Sequence, residues 1–216
     1  LEEKALMMSG KNTWQTQDYP QYGIPSMMMS DGPHGMRTQP SGVGDHLGLN
    51  ASMPATCFPT AATIANSWDP ALGEEIGRNL GEEAACQDVA VLLGPGLNIK
   101  RSPLCGRNFE YFSEDPYLAG KLAAAYVRGI QEKGVSACPK HFAVNNQELR
   151  RMATDSIVDE RTLREIYLRA FEFPVRHGGA KAVMTSYNLL NGQHTAERRD
   201  LSEDILRCEF GFRGII

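Results

Sequence analysis

Apolar positions along the chain follow two rhythms. Brief runs bounded by Gly, Pro, Ser or Asp alternate with longer stretches in which apolar side chains recur every three or four positions. The brief runs are PSMMMS (25–30), TAATIA (60–65), DVAVLL (88–93), VSAC (135–138) and KAVMTS (181–186). Short apolar segments of this kind read as buried strands. The longer stretches read as amphipathic helices. DPALGEEIGRNLGEEAA opens on Asp69, an N-cap residue, with Pro70 at the first helical position. DPYLAGKLAAAYVRGIQEKG repeats that opening with Asp115 and Pro116, aligns Leu118, Leu122, Tyr126 and Ile130 in one stripe, and stops at Gly134. In DERTLREIYLRAFEFPVRHGG, residues Leu163, Ile166, Tyr167, Ala170 and Phe171 share a face, and Pro174 is expected to kink or end the helix. The last helix begins DLSE, where Asp200 and Glu203 have capping-box spacing.

Strands alternating with helices predict an α/β fold with right-handed crossovers. The best match is a (β/α)8, TIM-barrel-like domain: five and a half units where a whole barrel takes about 250 residues, hence a barrel incomplete at its carboxyl end. A doubly wound open sheet competes, but neither G-x-G-x-x-G nor G-x-x-x-x-G-K-[ST] is present to support it. Residues 38–58 show no helical pattern, so the first crossover reads as a loop. No repeat or linker divides residues 1–216, which are expected to form one domain. LEEKALMM starts helically without a cap and FGFRGII ends as a strand opens, so a longer parent polypeptide is expected.

Composition narrows the partners. Hydrophobic residues at 42% and charged residues at 22% suit a globular domain with a real core. A net charge of −4 argues against nucleic acid or an anionic membrane, both of which reward basic surfaces. No apolar run approaches the roughly 18 residues that span a bilayer. No charged-then-apolar leader opens the sequence, so a cytoplasmic location is expected. Cys57, Cys86, Cys105, Cys138 and Cys208 form no C-x-x-C, and they read as buried free thiols.

In α/β barrels the loops after the strands line the site. SDGPHGMR brings Asp31, His34 and Arg37. GPGLNIKRSPLCGRNFEYFSEDP, a 23-residue loop, brings Lys100, Arg101, Arg107, Asn108 and Glu110. Lys140, His141, Asn145, Asn146 and Glu148 follow the fourth run, and Tyr187 and Asn188 the fifth. These residues lack metal-ligand spacing and a serine-nucleophile motif. Carboxylates, guanidinium groups, amides and a phenol suit a neutral polyol, whose hydroxyls both donate and accept. Plainer readings stand beside this one. Asp31 before Gly-Pro forms turns, Arg37 and Arg101 fit solvated or ion-paired roles, and Arg107 could pin its loop to Glu110 or Glu114. Lys140 at a strand end would also fit a Schiff-base enzyme. His34, His46, His177 and His194 read as turn, cap or surface residues.

SDGPHGMR, GRNFEYFSEDP, KHFAVNNQE, DERTLREIYLRAFE, VMTSYNLLNG and GFRGII, in this order, resemble the amino-terminal domain of glycoside hydrolase family 3, in its bacterial β-glucosidase branch. The resemblance implies a (β/α)8-like domain, here residues 1–216 and partial, followed by an α/β-sandwich domain. It implies retaining, exo-acting hydrolysis of terminal β-linked sugars, with no metal or organic cofactor. The implied partners are a sugar or oligosaccharide and the carboxyl-terminal domains of the same polypeptide. Asp31, Arg37, Arg107, Lys140, His141 and Tyr187 match the family's substrate-binding residues. The same resemblance places the nucleophilic aspartate about three residues after Ile216 and the acid/base glutamate in a later domain. On this reading the chain holds neither catalytic carboxylate and is inactive alone. The family's β-N-acetylglucosaminidase branch carries a histidine where TDSIVDE has Ile157, which argues against that branch. A non-catalytic carbohydrate-binding module is the alternative.

Overall fold

The computed structural model describes residues 1–40 and 50–216. His46 lies outside the described residues. The helices, in chain order, are α1 (Glu2–Leu6), α2 (Ala61–Ala65), α3 (Pro70–Cys86), α4 (Pro116–Glu132), α5 (Glu160–Thr162) and α6 (Arg169–Arg176). A π-helical segment, Leu163–Leu168, joins α5 to α6 as one rod, and a second, Asp200–Glu209, follows late in the chain. The strands are β1 (Met29–Asp31), β2 (Val91–Leu93), β3 (Ser136–Ala137), β4 (Lys140–Phe142), β5 (Asp155–Ser156), β6 (Met184–Thr185), β7 (Leu189–Leu190) and β8 (Gln193–His194).

The α/β expectation holds. β1, β2 and β3 pair in parallel in that order, and β4 pairs in parallel with β6. Single bridges join Gly96 to Lys140 and Ala182 to Ile215, which links these pieces into one parallel wall. Helices fill each crossover, as parallel pairing requires. α2 and α3 lie between β1 and β2, α4 between β2 and β3, and the α5–α6 rod between β4 and β6. β5, β7 and β8 form a separate small sheet beside the strand ends.

Five sequence expectations need correction. TAATIA is not a strand but α2: the Thr60 hydroxyl accepts the Thr63 N–H, and that N-cap outweighs the run's β-branched composition. The first crossover, from β1 to β2, therefore contains α2 and α3, although residues 38–40 and 50–58 within it form no helix, as their pattern predicts. Lys140 and His141 do follow a strand, β3, but they are not loop residues; they form β4 with Phe142. Asp200 caps nothing. Its carboxylate grips Arg198 instead, and no side chain caps the helix that begins there. Of the cysteines, Cys105 and Cys138 are buried, whereas Cys57, Cys86 and Cys208 are exposed.

The helix caps at Asp69 and Asp115 form as expected, each carboxylate accepting an N–H two residues on, at 2.8 Å. Pro174 lies inside α6, which ends two residues later at Arg176. The core fills the space between wall and helices, with Leu80, Leu92, Leu122, Tyr126, Ile130, Phe142 and Phe171 all essentially inaccessible. α3 and α4 approach backbone to backbone. A Cβ on Gly129 would lie 2.2 Å from the Glu74 carbonyl oxygen, and one on Gly77 2.4 Å from that of Tyr126. From this buried layer Tyr126 sends its hydroxyl out to the Pro33 carbonyl at 2.6 Å, tying α4 to the loop after β1.

Candidate functional site

Asp31 ends β1, and the loop beyond it is folded by local geometry. Gly35 has φ of 146°, and a Cβ there would meet the Thr56 carbonyl oxygen at 2.3 Å, so only glycine fits. The turn closes with the Arg37 N–H donating to the Asp31 carbonyl at 3.0 Å. Arg37 Nη2 is buried and has no hydrogen-bond partner among the described residues.

The Asp31 carboxylate faces Lys140, whose ammonium lies 3.4 Å away. The two differ in exposure: the lysine side chain is 4% accessible and the aspartate 30%. A buried ammonium needs a counter-charge, and the Asp31 carboxylate is the one that faces it.

His141 is gripped on two sides. Its backbone N–H donates to Asn98 Oδ1 at 2.9 Å and its carbonyl accepts from Asn98 Nδ2 at 2.8 Å. Its ring Nδ1 lies 3.3 Å from the Tyr111 hydroxyl, which itself accepts from Asn145 Nδ2 at 3.3 Å. Nδ1 also lies 3.4 Å from Asn98 Oδ1, so the hydroxyl can donate to a bare Nδ1 while the amide oxygen can accept from a protonated one. Burial, then the charges of Arg107, Lys140 and Arg151, hold the His141 pKa well below the usual histidine value. The ring is therefore neutral near pH 7, a donor at one nitrogen.

Arg107 forms a short ion pair with buried Glu110 and lies 4.0 Å from Glu148. Its guanidinium carbon sits 6.0 Å from the centroid of Tyr111. Burial opposes its charge, but Glu110, Tyr111 and Glu148 outweigh that and raise its pKa. The plainer reading, in which Arg107 pins its loop to Glu110, is thus part of what the structure displays; Glu114 takes no part. Glu148 also accepts from Asn145 at 3.0 Å and pairs with Arg151 at 3.0 Å. Arg151 in turn lies over the Tyr187 ring, 5.1 Å from its centroid. Tyr187 is itself 55% exposed, open to solvent above this base.

The structure thus brings Asp31, Arg107, Lys140 and His141 into one connected cluster, reaches Tyr187 through Arg151, and joins Arg37 through backbone. Arg101 is exposed and outside it. Lys100, its pKa lowered by burial, makes no ion pair with the cluster among the described residues. His177 packs on Phe173, and His194 meets the Tyr187 carbonyl at 3.1 Å, as befits cap and surface roles. His34 departs from its expected role. Both ring nitrogens are buried without hydrogen-bond partners among the described residues, and the ring meets Phe109 edge-on at 6.0 Å. Burial lowers its pKa, with Lys140 adding to the effect and Glu110 opposing it.

Sequence reasoning missed Asn98, Tyr111 and Arg151. Asn98 and Tyr111 stood inside the long loop flagged as functional, which was the available signal. Arg151 offered none. Each carboxylate of the cluster faces a cation: Asp31 with Lys140, Glu110 with Arg107, and Glu148 with Arg151. Among the described residues no group of three or more His, Cys, Asp or Glu could hold a metal ion.

Comparison with known proteins places the cluster in context. Thermostable β-glucosidase B of Acetivibrio thermocellus is 55% identical across all 216 residues. The exo-α-(1→6)-L-arabinopyranosidase of Bifidobacterium longum is 50% identical over the same length. The chain spans 28% of the length of each of these relatives. Among solved structures, β-glucosidase 3B from Thermotoga neapolitana in complex with α-D-glucose superposes with a TM-score of 0.91 at 42% identity, over 99% of this chain and 32% of that one. Residues 3–216 match the Glycosyl hydrolase family 3 N terminal domain. With the parallel α/β wall and the strand-end cluster, that match makes this chain a member of glycosyl hydrolase family 3, to whose amino-terminal domain it corresponds.

Proposed function

We propose that the polypeptide containing this chain is a retaining, exo-acting glycosidase of the β-glucosidase type, and that residues 1–216 supply most of the subsite for the terminal sugar. The single observation that carries the reading is the Asp31–Lys140–His141–Arg107 cluster at the strand ends of a family member. Asp31 accepts from sugar hydroxyls, while Lys140 and Arg107 donate to their oxygens and neutral His141 offers its Nε2 as a further hydrogen-bonding group. Arg37 and Tyr187 line the same ring. The parallel wall continues beyond Ile216 into a (β/α)8 barrel, and an α/β-sandwich domain follows it.

Retaining hydrolysis uses two carboxyl groups about 5 Å apart, one a nucleophile and one an acid/base. Within the cluster, Asp31, Glu110 and Glu148 are each paired with a cation. By the family resemblance the two carboxyls lie downstream, the nucleophile about three residues after Ile216 and the acid/base in a later domain. The relatives' names span a glucoside and an arabinopyranoside. The test uses the full-length polypeptide with aryl β-D-glucopyranoside and aryl α-L-arabinopyranoside. Hydrolysis of either, with kcat/KM lost in Asp31→Asn, supports the proposal; a full-length protein inert to both sinks it.

A further inference from the structure

We infer that Asn98 is a positioning residue for the terminal-sugar subsite, fixing His141 at the strand end through a two-point bond from its side-chain amide. The inference rests on the glycosidase reading above and extends it to a residue that is only 3% accessible.

The backbone around β4 explains why such a residue is needed. Pro95 and Leu97 run beside the strand and pair with Lys140, whose N–H donates to the Pro95 carbonyl at 2.9 Å and whose carbonyl accepts the Leu97 N–H at 2.7 Å. β4 also pairs with β6, but the register shifts between Lys140 and Phe142, so the irregularity falls at His141. A buried residue at an irregular point of its ladder still needs partners for its N–H and carbonyl. Asn98 meets both. Its Oδ1 accepts the His141 N–H at 2.9 Å, and its Nδ2 donates to the His141 carbonyl at 2.8 Å. A carboxamide has the donor and acceptor of a peptide group, so it carries the pairing begun by Pro95 and Leu97 one residue further.

The same amide reaches the ring. Oδ1 lies 3.4 Å from His141 Nδ1, and the Tyr111 hydroxyl lies 3.3 Å from that nitrogen. Tyr111 is itself bridged to Gly96. Residues 95–98 thus hold the Lys140 backbone, the His141 backbone and the tyrosine that faces the ring. Among them Asn98 is the one whose side chain meets both the backbone and the ring of His141.

The test is a double-mutant cycle in the full-length polypeptide, read by aryl-glycoside kinetics and by calorimetric titration with glucose and arabinose. Asn98→Ala is expected to lower kcat/KM and monosaccharide affinity about thirtyfold, the scale of two lost hydrogen bonds to buried backbone. In a His141→Ala background the same change is expected to cost less than about threefold, because the ring it places is gone. Asn98→Asp supplies a readout that a merely structural role would not move. Its carboxyl matches the amide only when protonated, since a carboxylate has no hydrogen to donate to the His141 carbonyl. Lys140, Arg107 and Arg151, whose charges reach His141, favour the carboxylate, while burial favours the acid and keeps Tyr111 neutral. Activity of Asn98→Asp relative to wild type at the same pH is expected to rise as the pH falls from about 8 to about 5. Equal losses of Asn98→Ala in both backgrounds, wild-type behaviour of that variant, or a relative activity of Asn98→Asp that is flat with pH, overturn the inference while leaving the glycosidase reading intact. A wild-type protein that neither hydrolyses nor binds sugar overturns the glycosidase reading, and this inference with it.

Discussion

Replacing Arg107 by methionine tests whether the site is held by paired burial. The Glu110 side chain is 5% accessible and that of Arg107 18%, so their ion pair is screened little by water. Arg107 is the only ion-pair or hydrogen-bond partner of the Glu110 carboxylate among the described residues. Arg107→Met therefore strands a buried carboxylate, and breaking such a pair costs about 3–5 kcal/mol. Glu110→Gln is milder, since Arg107 keeps Glu148 nearby and the amide oxygen still accepts; about 1–2 kcal/mol is expected. Arg107→Met/Glu110→Met removes both charges, and an apolar replacement of a whole pair is often near neutral, so it should regain more than half of the single-mutant loss. For a domain of this size each kcal/mol moves the melting temperature by about 2–4 °C, which makes the Arg107→Met shift roughly 10 °C. Scanning calorimetry of the full-length polypeptide measures all three. If the double variant melts at or below Arg107→Met, the stranded charge is not the source of the cost.

Lys140→Met leaves Asp31 without its buried cation and removes a donor from the cluster; about a hundredfold loss of kcat/KM is expected in steady-state kinetics, with KM raised. Gly129→Ala forces α3 and α4 apart and should destabilise by about 1–3 kcal/mol, read as a lower melting temperature, whereas an unchanged value would contradict the 2.2 Å approach. Acid should weaken the fold through His34 and His141, whose folded pKa values are both depressed. Below about pH 6.5 the unfolded chain takes up protons that these rings refuse when folded, so stability falls with pH. His34→Gln should flatten a plot of melting temperature against pH between about 7 and 5. Burial pushes the Cys138 thiol up to about 12, so at pH 8 a thiol reagent should label exposed Cys57, Cys86 and Cys208 but not Cys138 in the folded protein.

The helices were readable because their information is local. Asp69–Pro70 and Asp115–Pro116 carry the cap and the first turn within a few residues, and the apolar stripes of α3, α4 and the α5–α6 rod repeat at helical spacing. TAATIA misled because its β-branched residues suit a strand, while the deciding feature was one hydroxyl of Thr60. Lys140 and His141 were legible as a candidate pair but not as a strand, since β4 exists through its partner β6 more than forty residues away. The links between site residues were less legible still. Lys140 meets Asp31 across 109 positions and His141 meets Tyr111 across 30, and no periodicity records such contacts. Arg151 was invisible for the same reason: its turn reads as a solvated loop until Tyr187 is folded beneath it.

The Tyr126 hydroxyl that reaches the Pro33 carbonyl has a consequence for how the response to acidity is divided within the fold. The loop it ties down carries His34, whose pKa burial lowers and whose ring responds to acidity. The anchor itself does not respond, because burial drives its ionisation upward, far beyond the acidity at which His34 changes state. A neutral donor in the helix layer thus keeps the loop's coordinates constant while its charge varies. Changes of activity with pH in this region should then report altered protonation on a fixed frame, without displacement of the residues that carry it.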